Sequence, residues 1–146
     1  MLKTMKSEKV KIRDIEFKVV NLSELPQLMA IERQSQYVPM SASSMRDSLL
    51  AAHNQVWGIY HTVTANFIGF GILSVIVDES EIILMSIDQV YRRQGYGETL
   101  LLFLIEKAKE AKADRLTLEV RQSNQQAINL YEKLYFEPIG TRKNYY

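Results

Sequence analysis

The chain has 146 residues, of which 47% are hydrophobic and 24% are charged, and its formal net charge is +1. This length suits one domain with a sizeable core, and we expect residues 1–146 to form a single domain. A nearly neutral chain creates no global field that would favour nucleic acid or an acidic membrane as a partner.

Cysteine is absent, which excludes disulfides, thiol nucleophiles and cysteine-ligated metals. The two histidines, His53 and His61, have no acidic cluster nearby, so we expect no metal site. No apolar run reaches the roughly 18–20 residues that span a bilayer. Residues 1–14 are basic without the apolar stretch of a secretory signal, so we expect a frayed basic N-terminus on a cytoplasmic protein.

The first half of the chain has the patterns of a strand, two helices and a hairpin. Alternating apolar residues, β-branched content and N-cap residues mark these elements. They are a strand over Ile15–Val20, a helix to about Gln34 with Pro26 in its first turn and Asn21 or Ser23 as cap, a helix over Ser41–Ala52, and a hairpin of Gln55–Thr62 and Asn66–Val77.

The second half alternates strands and helices. Leu100, Leu101, Leu104, Ile105 and Ala108 recur at helical spacing. The predicted elements are a turn at Asp78–Ser80, a strand over Glu81–Asp88, a helix over Gly97–Ala113, a strand over Arg115–Val120, a helix from Asn124 to about Leu134 with Ser123 and Gln126 as a capping box, and a last strand over Phe136–Lys143. This order indicates a mixed α+β domain.

A basic turn, Arg92–Gly97, joins the strand over Glu81–Asp88 to the long helix. Gly95 and Gly97 remove side chains that would keep a ligand away, and they allow a positive φ. The helix adds the positive end of its dipole, so the turn is suited to a phosphate or diphosphate. Such a turn is also common as a mere connection, and by itself it leaves anion binding open.

The residues around this turn extend the pattern. Arg92, Gly95 and Gly97 fit Q/R-x-x-G-x-G/A, and the stretch LTLEVRQSNQQAINLYEKLYF follows over Leu116–Phe136. In these motifs the chain resembles the GNAT N-acetyltransferases, above all the RimI branch of ribosomal-protein-alanine N-acetyltransferases, and archaeal N-terminal acetyltransferases. The resemblance is close over Glu81–Tyr146. It implies the GNAT acyl-CoA N-acyltransferase fold, a mostly antiparallel sheet flanked by helices, with acetyl-CoA as cosubstrate.

The resemblance also implies a set of cofactor contacts. The backbone of one strand pairs with the pantetheine arm, the turn holds the diphosphate, and an asparagine at the next helix touches the cofactor. The residues that match these positions are Met85, Ser86, Ile87, Arg92, Arg93, Gln94, Gly95, Tyr96, Gly97, Glu98 and Asn124.

Two further residues match the catalytic positions of the family. Glu119 corresponds to the glutamate of the L-E-V-R motif, which accepts a proton, and Tyr131 to the tyrosine that protonates the departing thiolate. An exposed strand carboxylate paired with Arg121 and a core tyrosine are the ordinary alternatives. Glu81 is a second carboxylate candidate.

The chemistry left to this chain is direct attack of an amine on a bound thioester, because it has no cysteine and no G-x-S-x-G elbow. An α-amine with a pKa of about 7.7–8.0 is neutral to roughly a tenth or more at pH 7, whereas a lysine amine is almost wholly charged. We therefore expect the N-terminal amine of a protein as acceptor, and the resemblance to the RimI branch implies a ribosomal protein first of all. A small amine or a lysine side chain, and a non-catalytic CoA-binding module, are the alternatives.

Three features depart from the family pattern. Met40 stands for an aromatic residue in the acceptor-side loop, Tyr135 for a glycine after the last helix, and Gln89 for a frequent proline. The family also continues past the position of Tyr146 into a further strand. A missing tail, an open groove and a strand from a partner all remain open, and we expect a monomer or weak dimer without direct nucleic-acid binding.

Overall fold

The computed structural model describes residues 14–34 and 38–140, so the predicted frayed segment 1–14 lies outside it except for Asp14. Short 3₁₀ turns at Leu22–Glu24 and Gln89–Tyr91 precede the first and third helices. The strands and α-helices of this part are β1 (Ile15–Val19), α1 (Leu25–Glu32), α2 (Ala42–Leu50), β2 (Asn54–His61), β3 (Phe67–Ile76), β4 (Glu79–Ile87), α3 (Tyr96–Glu110), β5 (Arg115–Leu118) and α4 (Gln125–Lys133).

The five strands form one sheet in the order β1-β2-β3-β4-β5. The pairs from β1 to β4 are antiparallel, and only β5 runs parallel to its neighbour β4. The predicted α+β class with a mostly antiparallel sheet is therefore confirmed.

Each face of the sheet is covered by a pair of helices. On one face α1 and α2 bury Leu28, Ile31 and Met45 against the sheet residues Phe70 and Ile72. On the other face α3 buries its predicted apolar stripe against the strands, with Leu100, Leu101, Leu104 and Ala108 all buried. Strand alternation sends neighbouring side chains to opposite faces, which gives the sheet two separate cores.

The close approach of α3 to the sheet depends on Gly71 in β3. A Cβ at this position would lie 2.7 Å from Leu104 Cδ1, inside normal contact distance. The absent side chain lets the helix lie against the centre of the sheet. Trp57, which the sequence indicates as a core residue, contributes to the same side by meeting Phe103 edge-on at 5.0 Å.

The helix caps agree with the sequence only in part. Asn21, one of the two predicted caps, forms a capping box with Glu24 in the 3₁₀ turn that leads into α1. Ser41, predicted as the first residue of the second helix, is the cap of α2 and accepts a hydrogen bond from Ser44 N–H. The predicted cap Ser123 is wrong, because Asn124 Oδ1 accepts the hydrogen bond from Ala127 N–H at 3.2 Å and α4 begins one residue later.

The predicted strand over Phe136–Lys143 is wrong in its described part, since residues 136–140 belong to no strand. Pro138 lies in this segment and has no N–H to donate to a ladder. Residues 141–143 lie outside the described ranges. β5 also ends at Leu118, two residues before the predicted end at Val120.

Candidate active site

The basic turn has the backbone geometry of an anion site. Arg93 and Gly95 have left-handed φ angles of 63° and 89°, and Gly95 is the N-cap of α3. Thr99 N–H bonds to Gly95 O at 3.1 Å, so the N–H groups of the preceding residues lie outside the helix ladder. These N–H groups, from Gly95 to Glu98, point out of the helix N-terminus.

Space above the turn is open. A Cβ at Gly97 would meet only Ile87 Cγ1, at 3.9 Å, which is ordinary van der Waals contact. The side chain of Tyr96 is buried below the turn and meets Tyr91 edge-on at 5.9 Å. Tyr96 therefore offers a ligand its backbone N–H while its ring holds the turn down.

Two polar side chains of the turn bond to the backbone that leads into it. Arg92 Nε donates to Ile87 O at 2.9 Å, and Gln94 Nε2 donates to Val90 O at 3.2 Å. These bonds fix the shape of the turn. Arg93 is exposed and adds positive charge at its rim.

The end of β4 beside this turn is open on one side. β5 pairs only with Glu79–Ile82, and the ladder to β3 skips Ile83, which forms a bulge. Asp88 N–H bonds to Ile68 O of β3 at 2.8 Å. By strand alternation the main chain of Ser86 also faces β3, whereas the N–H and C=O groups of Met85 and Ile87 point toward the open side.

Glu119 lies where β4 and β5 diverge. Leu118 is the last residue of β5 paired with β4, opposite Ile82, and Glu119 follows it with an exposed side chain. Asn124 then caps α4 with its Oδ1, so its amide NH₂ is the group left to face a ligand. Both residues lie at the carboxyl end of β5, the end where the open stretch of β4 begins.

Tyr131 lies on α4 among apolar side chains. It is half-buried in the core on the α3 side of the sheet, and its ring centroid is 5.8 Å from that of Phe136. Burial raises the pKa of Tyr131 above the usual 10.0, because the charged phenolate is poorly solvated there. The hydroxyl is therefore protonated throughout the neutral range.

The sequence analysis did not predict one buried carboxylate. Glu32, at the end of α1, is 4% exposed, and it accepts hydrogen bonds from Met40 N–H at 2.7 Å and from Ser86 Oγ at 3.3 Å. It thus joins α1 to the loop before α2 and to β4. Its spacing was a readable signal, since Leu28 and Glu32 are four residues apart and share the apolar face of the helix.

A second undetected contact joins the two helices of the site. Lys133 Nζ, at the end of α4, lies 2.7 Å from Glu98 Oε1 in the first turn of α3.

The described residues include no group of three or more His, Cys, Asp or Glu side chains that could hold a metal ion. No helix in the described ranges is long and apolar enough to cross a membrane.

This combination of a splayed strand pair, an N–H-rich turn and a flanking helix defines an acyltransferase of the GNAT type. The chain matches the Acetyltransferase (GNAT) family over residues 22–136 and belongs to that family. It is accordingly an acetyl-CoA-dependent N-acetyltransferase, as the motifs implied.

Relatives with a named activity point to one branch. The chain is 34% identical over 119 residues to a [ribosomal protein bS18]-alanine N-acetyltransferase of Haemophilus ducreyi, covering 82% of this chain and 80% of that protein. It is 32% identical over 124 residues to the Escherichia coli K12 enzyme of the same name, covering 85% and 82%. The predicted resemblance to the RimI branch is confirmed.

The fold agrees with solved structures. The crystal structure of the ribosomal-protein-S18-alanine N-acetyltransferase from Escherichia coli superposes with a TM-score of 0.83 at 30% identity, over 90% of this chain and 83% of that one. Ard1 from Thermoplasma volcanium, at 23% identity, has a TM-score of 0.78 over 91% of this chain and 89% of that one. The second likeness concerns the fold alone.

Proposed function

We propose that this protein transfers the acetyl group of acetyl-CoA to the N-terminal α-amine of a protein, with the N-terminal alanine of ribosomal protein bS18 as the first substrate to test. The observation that carries the proposal is the meeting of three features at the ends of β4 and β5. These are an open strand edge, a turn rich in free N–H groups and a carboxylate at Glu119. The names of the relatives support the choice of acceptor.

The residues at the turn and on β4 fit the shape and charge of acetyl-CoA. The N–H groups from Gly95 to Glu98 and the charge of Arg93 would hold the diphosphate, and the clearance over Gly97 leaves room for it. The outward N–H and C=O groups of Met85 and the N–H of Ile87 would pair with the amides of the pantetheine arm as a neighbouring strand would, while Ile87 O is bonded to Arg92 Nε. When bound, acetyl-CoA supplies an activated thioester carbonyl.

Glu119 would act as the base for the incoming amine. The acceptor needs little help from this carboxylate, since about a tenth or more of α-amines are already neutral at pH 7. A lysine side chain would require a much stronger base. The absence of histidine from the sequence around Glu119 therefore favours an N-terminal amine as acceptor.

Tyr131 would act as the acid. Burial raises its pKa, which keeps the proton on the hydroxyl until a thiolate leaves. The Asn124 cap fixes the start of α4, the helix from which Tyr131 projects.

Mass spectrometry after incubation with acetyl-CoA tests the proposal on three acceptors. They are a peptide with a free N-terminal alanine and no lysine, a peptide with a blocked N-terminus and one lysine, and spermidine. Acetylation of the first peptide alone is expected. Acetylation only of the lysine peptide or of spermidine would overturn the proposed acceptor. CoA binding without transfer to any of the three would indicate a non-catalytic module.

A further inference from the structure

A carboxylate lies at the rim of the turn that would hold the diphosphate. Glu98 is the third residue of α3, and its side chain is only about one third exposed. A negative charge in the first helical turn favours the helix itself. The same charge would repel a diphosphate bound at the helix N-terminus, so the position of Glu98 opposes the function of the turn.

Lys133, on another helix, forms an ion pair with this carboxylate. It is the last residue of α4, and its ammonium lies 2.7 Å from Glu98 Oε1. The two side chains are 66% and 35% exposed, and an ion pair this accessible contributes little to folding stability. The consequence of the contact is therefore the local charge at the turn, where a positive and a negative group cancel.

We propose that Lys133 is a positioning residue of the cofactor site, whose ammonium neutralises Glu98 and so preserves the positive field that the turn offers to a diphosphate. The inference rests on the proposed function, because it assumes that the turn binds the diphosphate of CoA. It assigns Lys133 an electrostatic role through Glu98, without a contact to the phosphates.

The proposal predicts a distinctive order of affinities among four proteins. Lys133→Met leaves Glu98 uncompensated, Glu98→Gln leaves Lys133 uncompensated, and the double variant restores a neutral pair. Calorimetric titration with CoA at an ionic strength of about 0.15 M should show binding weakened about three- to tenfold by Lys133→Met, and tightened or unchanged by Glu98→Gln. The double variant should return to within about twofold of the wild type.

Lys109→Met is the matched control. Lys109 pairs with Glu106 at 3.6 Å on the exposed face of the same helix. Eleven residues separate Glu98 from Lys109, about 16 Å along the axis, which exceeds the screening length at physiological salt of about 8 Å. Its CoA affinity should equal that of the wild type. Thermal melting of every variant shows that each is folded before its affinity is compared.

Three results would overturn the inference while the proposed function stands. The first is wild-type CoA affinity in the Lys133→Met variant. The second is a double variant as weak as Lys133→Met, which would mean that Lys133 touches the phosphates directly. The third is that Lys133→Met weakens the binding of CoA but not that of 3′-dephospho-CoA. This result would mean that Lys133 acts on the 3′-phosphate and not on the diphosphate. If the wild type itself fails to bind CoA, the proposed function and the inference both fall.

Discussion

The proposed role of Glu119 depends on its position directly after the end of β5. It follows the last β4–β5 pair, at the point where the two strands separate. We predict that Glu119→Gln lowers kcat by about 10²–10⁴-fold and changes the KM for acetyl-CoA little, because the amide keeps the shape but cannot accept the proton. Steady-state kinetics with the N-terminal alanine peptide measure both constants.

Glu81 provides the comparison for that experiment. It is also an exposed carboxylate of this sheet, but it lies within the paired part of β4, opposite Thr117. Turnover lost in Glu81→Gln and kept in Glu119→Gln would transfer the role of base to Glu81. Equal turnover in both variants and the wild type would remove a carboxylate base from the mechanism.

For Tyr131 as well, a measurement of kcat distinguishes a catalytic role from a role in packing alone. We predict that Tyr131→Phe lowers kcat by about 10²-fold, because the ring remains in its apolar site and only the acidic hydroxyl is lost. Far-ultraviolet circular dichroism should be unchanged, since Phe136 still meets an aromatic ring. A variant as fast as the wild type would reduce Tyr131 to a core residue.

The raised pKa of Tyr131 sets the direction in which kcat and stability change with pH. Burial raises the pKa of Tyr131 above 10.0, so the wild type should keep its acid up to pH 10 and lose kcat only above it. The neutral phenol is favoured in the fold, and the associated stability is present below pH 10 and lost as the pH rises through the raised pKa. The loss of kcat should disappear in Tyr131→Phe, whereas the loss of stability should only become smaller, because burial also raises the pKa values of Tyr60 and Tyr96.

Among the elements, the end of α4 carries backbone strain. Tyr135 has a φ of 70° and is 91% exposed, while Phe136 N–H bonds to Tyr131 O at 2.9 Å and Tyr135 N–H to Glu132 O at 3.0 Å. These two bonds form a Schellman motif, whose left-handed position glycine favours. The structure thus enforces on Tyr135 the conformation that glycine adopts without cost.

We predict that Tyr135→Gly raises the free energy of unfolding by about 0.5–1 kcal/mol, measured by urea denaturation. The gain comes from relief of the left-handed strain, reduced by the greater freedom of glycine in the unfolded chain. Tyr135→Ala is the control, because it removes the ring and keeps the Cβ. If alanine stabilises the protein as much as glycine, the effect belongs to the exposed ring.

The helices, strands and turns differ in how accurately the sequence predicted their positions. The stripe from Leu100 to Ala108 predicted α3 because helical spacing is a local property of the chain. The hairpin between β3 and β4 turns at Val77 and Asp78 instead of the predicted Asp78–Ser80. Val77 adopts a φ of 57°, which a β-branched residue disfavours and which pairing of the long strands imposes.

For the molecule as a whole, Glu32 connects parts that are distant in sequence. Its buried carboxylate accepts hydrogen bonds from Met40 N–H and from the Ser86 hydroxyl, which joins the loop before α2 to β4. We predict that Glu32→Gln lowers the free energy of unfolding by about 1–3 kcal/mol, because a neutral amide replaces the carboxylate's two charge-assisted hydrogen bonds by weaker ones.

Ser86→Ala tests this account from the other side. It removes one donor and leaves the carboxylate bonded to Met40, so urea denaturation should show a smaller loss than Glu32→Gln. A Glu32→Gln variant within about 0.5 kcal/mol of the wild type would mean that the carboxylate does not organise these three segments.

The sequence by itself determined the turn at Arg92–Gly97, the amphipathic α3 and the membership of the GNAT family, because glycine positions, helical spacing and motifs are local in the chain. Only the tertiary structure decided where β5 stops. The bulge at Ile83 ends its ladder with β4 and opens the strand edge, and register between strands depends on residues far apart in sequence. The pairing of Lys133 with Glu98 was decided in the same way, since it requires the end of α4 to lie beside the first turn of α3.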